Sequence, residues 1–246
     1  MSTWSRLSYQ HDYLAIAQGD VNYYSSVQKF GANFDVSSNS DPESVWSAGG
    51  LYPWASLDAA ETLYLISTDT GDTDTILLEG LDANYLPLTE TVQMAGQTAV
   101  ATVNQFKRIY RMEYNHGNIN AGTVTARTVS GTGVVVAQVD PTLAQTLMAV
   151  YTVPAGFTGY LLNLDFSVNK GKDAQCRLYA REFSRSFRIK HLTEVYESSY
   201  RYDFTVPLHL PEKTDIDIIA YQVESANTRV SCNFDLILVD NARPNH

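Results

Sequence analysis

From residue 58 to residue 241 the chain is a succession of short runs, apolar or alternating, each cut off by turn residues after roughly 8–12 positions. Period-two alternation puts every second side chain on one face of a strand, so each run can bury one face and solvate the other. Asp215 to Val223 shows the pattern, with Ile216, Ile218 and Ala220 sharing a face. Such a chain has little to build with except antiparallel sheets packed face to face.

Runs at Thr62–Ser67, Asp74–Glu79, Leu88–Val92, Phe106–Tyr114, Val124–Val129 and Val134–Val139 predict a first β-sandwich over residues 58–140. Phe106, Ile109 and Met112 are its core candidates. Turns such as Thr68-Asp69-Thr70-Gly71-Asp72 and Ser130-Gly131-Thr132-Gly133 separate the runs. Further runs at Thr146–Val153, Thr158–Asn169, Cys176–Phe183, Phe187–Leu192, Tyr200–Val206, Asp215–Val223 and Val230–Val239 predict a second sandwich over 141–241. Pro207 and Pro211 mark strand ends, and 242–246 is a short tail. No run reads as an amphipathic helix, and Leu143 to Val150 is the least regular strand. The expected fold is all-β: two antiparallel β-sandwiches, jelly-roll or Ig-like.

Residues 1–57 lack this regularity. They hold Trp4, Trp46 and Trp54, with Tyr9, Tyr13, Tyr23, Tyr24 and Tyr52, around a turn-rich stretch at Ser37–Pro42. Aromatic density without a period predicts an extended arm that buries its rings against the chain's own domains or against a neighbouring subunit. Trp4, Tyr9, Tyr13, Tyr23, Tyr24, Trp46 and Trp54 are therefore its candidate interface residues. The start of the chain has no basic stretch leading into an apolar run, so a secretion signal is not expected, and no window suits a membrane span.

Charge is distributed unevenly. The net formal charge is -10. Residues 1–106 carry Arg6 and Lys29 against thirteen acidic groups, whereas residues 107–246 carry fifteen basic groups against fourteen acidic ones. An acidic first half repels phosphates and argues against a nucleic-acid partner. The basic groups concentrate at Lys170, Lys172, Arg177, Arg181, Arg185, Arg188 and Lys190. Arg177, Tyr179 and Arg181 fall on one strand face, with Leu178 and Ala180 on the core side. That row predicts docking against carboxylates, and Arg177, Arg181, Arg185 and Arg188 join the interface candidates.

Motifs for chemistry are weak. Asp69-Thr70-Gly71 matches the short aspartic-protease signature, but that chemistry needs two carboxylates sharing a proton, and no second copy occurs. Asp69, Asp72 and Asp74 offer oxygens for a cation without the spacing of a helix–loop–helix site, and favour turns for backbone reasons. The histidines have no zinc spacing, and neither a nucleophile elbow nor a phosphate loop is present. Cys176 and Cys232 are expected as buried thiols, able to pair only if their strands are neighbours. Catalysis, a cofactor and a metal are therefore not expected.

Several segments resemble one recurrent type of tailed-bacteriophage virion structural protein, of the kind found in marine phages. They are Gly50-Leu51-Tyr52-Pro53-Trp54, LEGLDANYLPLTETVQMAGQTAV from Leu78, NINAGTVTARTVSGTGVVVAQV from Asn118, QTLMAVYTVPAGFTGYLLNLDFSVNKGKDA from Gln145, RLYAREFSRSFRIKHL from Arg177 and VPLHLPEKTDIDIIA from Val206. The resemblance covers roughly residues 45–241. It implies a non-enzymatic virion component, decorating the capsid or attached to the tail. Its partners would be other virion proteins and further copies of itself, without nucleic acid or membrane. Such a chain is made in the host bacterial cytoplasm and resides in the virion. The alternative is a host-surface or glycan-binding module of a tail fibre or adhesin.

Overall fold

The computed structural model describes residues 9–37, 41–115, 118–221 and 223–244. A helix, α1 (Tyr9–Gln18), leads into strand β1 (Tyr24–Val36) and the two-residue β2 (Glu43–Ser44). Then come β3 (Glu61–Ser67), β4 (Thr75–Leu81), β5 (Pro87–Gln93), β6 (Val100–Phe106), β7 (Arg108–Tyr114), β8 (Val124–Arg127) and β9 (Val135–Val139). The chain ends with β10 (Val150–Thr152), β11 (Phe157–Val168), β12 (Asp173–Arg181), β13 (Arg188–Tyr196), β14 (Ser199–Leu210), β15 (Asp215–Tyr221) and β16 (Thr228–Asp240). The protein is all-β with antiparallel sheets, as the alternation requires.

The C-terminal sandwich has one sheet in the order β1-β16-β11-β14 and a second in the order β10-β15-β12-β13. Both contribute to one core, which includes Leu161, Phe166, Cys176, Leu178, Ile216, Ile218, Phe234 and Leu236. The short β2 pairs with Ile219 and Ala220 of β15, and β10 pairs with Asp215 to Asp217 on the same strand. β2 and β10 are therefore two halves of one strand. Counted so, eight strands lie in the orders first–eighth–third–sixth and second–seventh–fourth–fifth. This is the double Greek key of a jelly roll.

The other sandwich is inserted into that split strand. Its sheets run β6-β3-β8-β9 and β5-β4-β7, around Leu63, Leu65, Leu78, Phe106, Met112 and Val124. This order is neither a jelly roll's nor that of an immunoglobulin domain, whose first two strands share a sheet. The chain leaves and re-enters the jelly roll through a narrow neck. Trp46 and Met148 form an antiparallel bridge there, and the Ala149 amide donates to the Val45 carbonyl at 2.9 Å. Gly31 of β1 lies against the neck: a Cβ at Gly31 would stand 2.2 Å from the Ala149 nitrogen and 2.5 Å from the Val45 oxygen. Only glycine lets the two backbones approach so closely.

Residues 1–57 are thus not simply an arm. β1 supplies the first jelly-roll strand, paired along its length with β16, and β2 supplies half of the second. Tyr9 to Gln18 is helical where no helix was expected. It was hidden because it lacks a coherent apolar stripe: Tyr13 and Leu14 are exposed. Residues 143–149 remain irregular, leaving only β10 from the expected strand. β14 runs through Pro207 to Leu210. Proline is tolerated because β14 is an edge strand, with a register shift against β11 between Leu161 and Asn163. Cys176 and Cys232 are free and buried on β12 and β16, in opposite sheets; burial pushes both thiols up, Cys176 to about 12.

Candidate functional site

Alternation along β15 sends Ile216, Ile218 and Ala220 into the jelly-roll core. Asp215 and Asp217 then point out of the sheet's other face, where the inserted sandwich lies. Both carboxylates are buried. Burying two charges is costly unless each finds partners, so the seam was built around them.

Asp215 is the centre. Arg108 of β7 donates Nε to its Oδ1 at 2.9 Å and Nη2 to its Oδ2 at 3.1 Å. Arg181 of β12 donates Nε and Nη2 to Oδ2 at 2.9 and 2.6 Å, and the Thr152 hydroxyl donates to Oδ1 at 2.6 Å. The Nη1 of Arg108 reaches the carbonyls of Leu57 and Lys107, each at 2.7 Å. Burial disfavours the Arg108 charge, but the hydrogen-bonded Asp215 carboxylate outweighs it and holds the guanidinium above its ordinary pKa. One residue from each sandwich is thereby locked to a shared anion.

Asp217 sits one pleat further on. Its Oδ2 accepts Trp54 Nε1 at 2.8 Å and Ser44 Oγ at 3.2 Å, while Oδ1 has no partner among the described residues. Burial pushes its carboxyl up to about 7 despite those two bonds, and the neighbouring Asp215 charge adds to the push. Tyr52 and Trp54 pack edge to face at 4.7 Å, and Trp46 meets Tyr52 at 5.2 Å, so the insert's aromatic residues wall this carboxyl from water. A second seam contact joins β1 to β7. The Lys29 ammonium donates to the Tyr110 carbonyl and lies 5.6 Å from that ring's centroid. Burial, aided by the Arg111 charge, lowers its pKa to about 7.

Beside the Asp215 node a concavity of roughly 210 Å³ opens to solvent. Tyr85, Phe183, Arg181 and Lys213 line it, together with the carboxylates of Asp58, Glu182 and Asp215. Tyr85 meets Phe183 edge to face at 5.9 Å, joining a turn of the insert to the β12–β13 turn. Three non-glycine residues of its lining hold left-handed backbone: Tyr85 (φ 64°), Ser184 (φ 59°) and Lys213 (φ 59°).

The arm and the basic stretch are distributed among different tasks. Trp4 lies outside the described residues, as does the Tyr9 side chain. Tyr13 and Tyr23 are exposed, and the Tyr24 hydroxyl accepts from Arg243. Trp46 and Trp54 are buried within the chain itself. Arg177, Tyr179 and Arg181 do share the outer face of β12, opposite Leu178 and Ala180. Arg177 donates to Gln175 and Tyr179 and stacks 4.3 Å over Tyr221, whereas Arg181 turns inward to Asp215. Arg185 pairs with Glu182 at 3.4 Å in solvent, and Arg188 is exposed. Among the described candidates, Trp54 and Arg181 meet across the seam, 5.6 Å apart.

Asp72 explains the acidic turn differently from a cation site. Its carboxylate accepts the Ser67 hydroxyl and the amides of Ala121 and Gly122, tying two loops together. Among the described residues no group of three His, Cys, Asp or Glu side chains is arranged to hold a metal. Sequence reasoning did not single out Arg108, Asp215, Asp217, Tyr85 or Lys213. A signal existed for two of them: aspartates alternating with isoleucines mark a strand whose second face meets something other than water.

No known protein family matches the chain, and neither does any curated protein. Among solved structures the chain is similar to the PBSX exported protein XepA, at 10% identity over 87% of this chain and 84% of that one, with a TM-score of 0.21. It is similar also to infectious bursal disease virus VP2 in a subviral particle, at 8% identity over 91% and 73%, with a TM-score of 0.23. At these TM-scores neither likeness bears on what the chain does.

Proposed function

We propose that this chain is a non-enzymatic structural component of a tailed-bacteriophage virion, held in the particle by protein–protein contacts. The observation that carries the reading is the use to which the fold puts its buried ionisable groups. Asp215, Arg108, Asp217 and Lys29 all fasten the inserted sandwich to the jelly roll. A two-body block fastened in this way suits a building part that transmits load. The resemblance of residues 45–241 to phage structural proteins supports the same reading, and a jelly roll is a common body for capsid and decoration proteins, though it also serves lectins.

The adhesin reading weakens on one point. Trp46 and Trp54, the two described tryptophans and rings well suited to stack on a sugar, are buried in the chain. The test is mass spectrometry of gradient-purified particles of the encoding phage, with antibody labelling to locate the subunit. The protein is expected in the particles at stoichiometric copy number. Abundance in the lysate with absence from the particles would overturn the proposal.

A further inference from the structure

We propose that the concavity beside Asp215 is a socket for a carboxylate side chain from a second copy of this chain. The inference rests on the reading that the protein works through protein contacts, and it names one such contact.

The charges inside the socket are not balanced. Asp215 is shared between two guanidinium groups, so one carboxylate serves two cations. Arg181 directs Nε and Nη2 to Asp215 and lies over the Phe187 ring, 4.6 Å from its centroid, and among the described residues its Nη1 has no acceptor. Lys213 has no carboxylate within ion-pair reach among the described residues. Its ammonium touches only ring faces, 5.9 Å from the Tyr85 centroid and 5.2 Å from that of Phe183. Glu182 is taken by Arg185 and, more distantly, by Lys190, and Asp58, also in the lining, is exposed to solvent with Lys107 on its carbonyl. An anion entering the socket therefore meets an ammonium and a guanidinium edge inside an aromatic collar, where both act more strongly than in open water.

The backbone points to the same place. Glycine is the residue that left-handed turns favour, yet Tyr85, Ser184 and Lys213 occupy such positions around this one concavity. Tyr85 and Lys213 keep large side chains in that strained backbone, two of eight such non-glycine residues among those described, which fits a use for their side chains here. Roughly 210 Å³ admits an acidic side chain and excludes a folded surface. The chain itself supplies acidic groups: residues 1–106 carry thirteen against two basic ones, and Asp20, Asp35, Asp41 and Asp74 are exposed. Phe183, 55% exposed at the mouth, would be covered by the incoming surface. Socket on one copy and carboxylate on the next join two copies, mutually in a two-fold dimer or head to tail in a ring when the rotation closes.

Sedimentation velocity of the full chain tests this. Self-association is expected at low ionic strength and is expected to disappear in about 1 M salt, where exposed charges are screened. Lys213→Glu should weaken association at least tenfold, and Phe183→Ala should weaken it while leaving the melting temperature near that of the parent. Glutarate should compete, and uncharged glutaramide should not. A chain that stays monomeric at high concentration overturns the proposal, including the case where it binds glutarate as a monomer. So does association that is indifferent to Lys213→Glu and to glutarate. Particle incorporation separates the two readings. Socket-dependent association by a chain absent from particles would sink only the virion role, and a virion protein that never self-associates would sink only the socket.

Discussion

Arg108 and Asp215 lie 107 positions apart in sequence and meet through a pair of hydrogen bonds, 2.9 and 3.1 Å long, with both side chains 4% exposed. The contact binds a strand of the insert to a strand of the host sandwich. Removing one member of a buried pair strands the other charge without its partner.

Asp215→Ala is expected to destabilise the protein by about 3–5 kcal/mol, because it abandons two guanidinium groups. Arg108→Ala should cost somewhat less, since Arg181 still answers Asp215. The exposed pair Arg201–Asp203 is the control: Arg201→Ala should stay within about 1 kcal/mol of the parent. Urea unfolding followed by tryptophan fluorescence gives all three numbers. Equal losses at Asp215 and Arg201 would show that the seam is not held by this node.

Two buried groups give the seam a pH dependence of opposite signs. Folded Asp217 keeps its proton up to about pH 7, whereas an unfolded aspartate releases it near ~3.9. The folded state holds the extra proton between those values, so this contribution is complete at low pH and is lost as pH rises to about 7. Folded Lys29 is neutral above about 7, while an unfolded lysine stays charged to ~10.4, so its contribution grows as pH rises across that window. Asp217→Asn should remove the acid-side decline and Lys29→Met the alkaline-side gain. Urea midpoints at acid, neutral and alkaline pH measure both. A parent-minus-variant difference that is flat with pH for either residue contradicts its assignment.

Gly31→Ala is expected to cost about 3 kcal/mol or to prevent folding, because its methyl would enter the backbone of the neck, and backbone cannot rotate aside as a side chain can. Gly131, whose surroundings are open, is the comparison for left-handed strain alone. Thermal melts that rank Gly131→Ala as the worse of the two would remove the packing argument.

Truncation distinguishes arm from strand. Deleting residues 1–20 should leave a cooperatively folding protein, because β1 begins at Tyr24. Deleting residues 1–40 removes the first jelly-roll strand and exposes the edge of β16, so this variant should aggregate. Circular dichroism and gel filtration separate the outcomes, and a soluble, cooperatively melting 41–246 fragment would refute the role given to β1.

The strands of regular alternation were legible in the sequence because a half-buried strand writes its burial pattern directly, as β12 and β15 do. The split strand was not. Glu43 and Ser44 are too short to alternate, and their partner half lies beyond residue 149. β6 escaped because its exposed Val103 broke the pattern against the buried Phe106. Trp46 and Trp54 are buried within the chain, and aromatic density in a sequence cannot say which surface buries such rings. The candidate site was least legible: Arg108 and Asp215 become meaningful only when two distant strands are laid together.

The split strand has a consequence for the order in which the molecule assembles. While the insert is unfolded, roughly 100 residues of slack chain separate the two halves of the strand, and closing a loop of that size costs on the order of 4 kcal/mol in entropy. Once the insert has folded, its two ends already stand side by side and that penalty is gone. During synthesis the insert is complete before β15 leaves the ribosome, so it can fold first. The guest then acts as a clamp that presents both half-strands to β15 in register, and the jelly roll closes last.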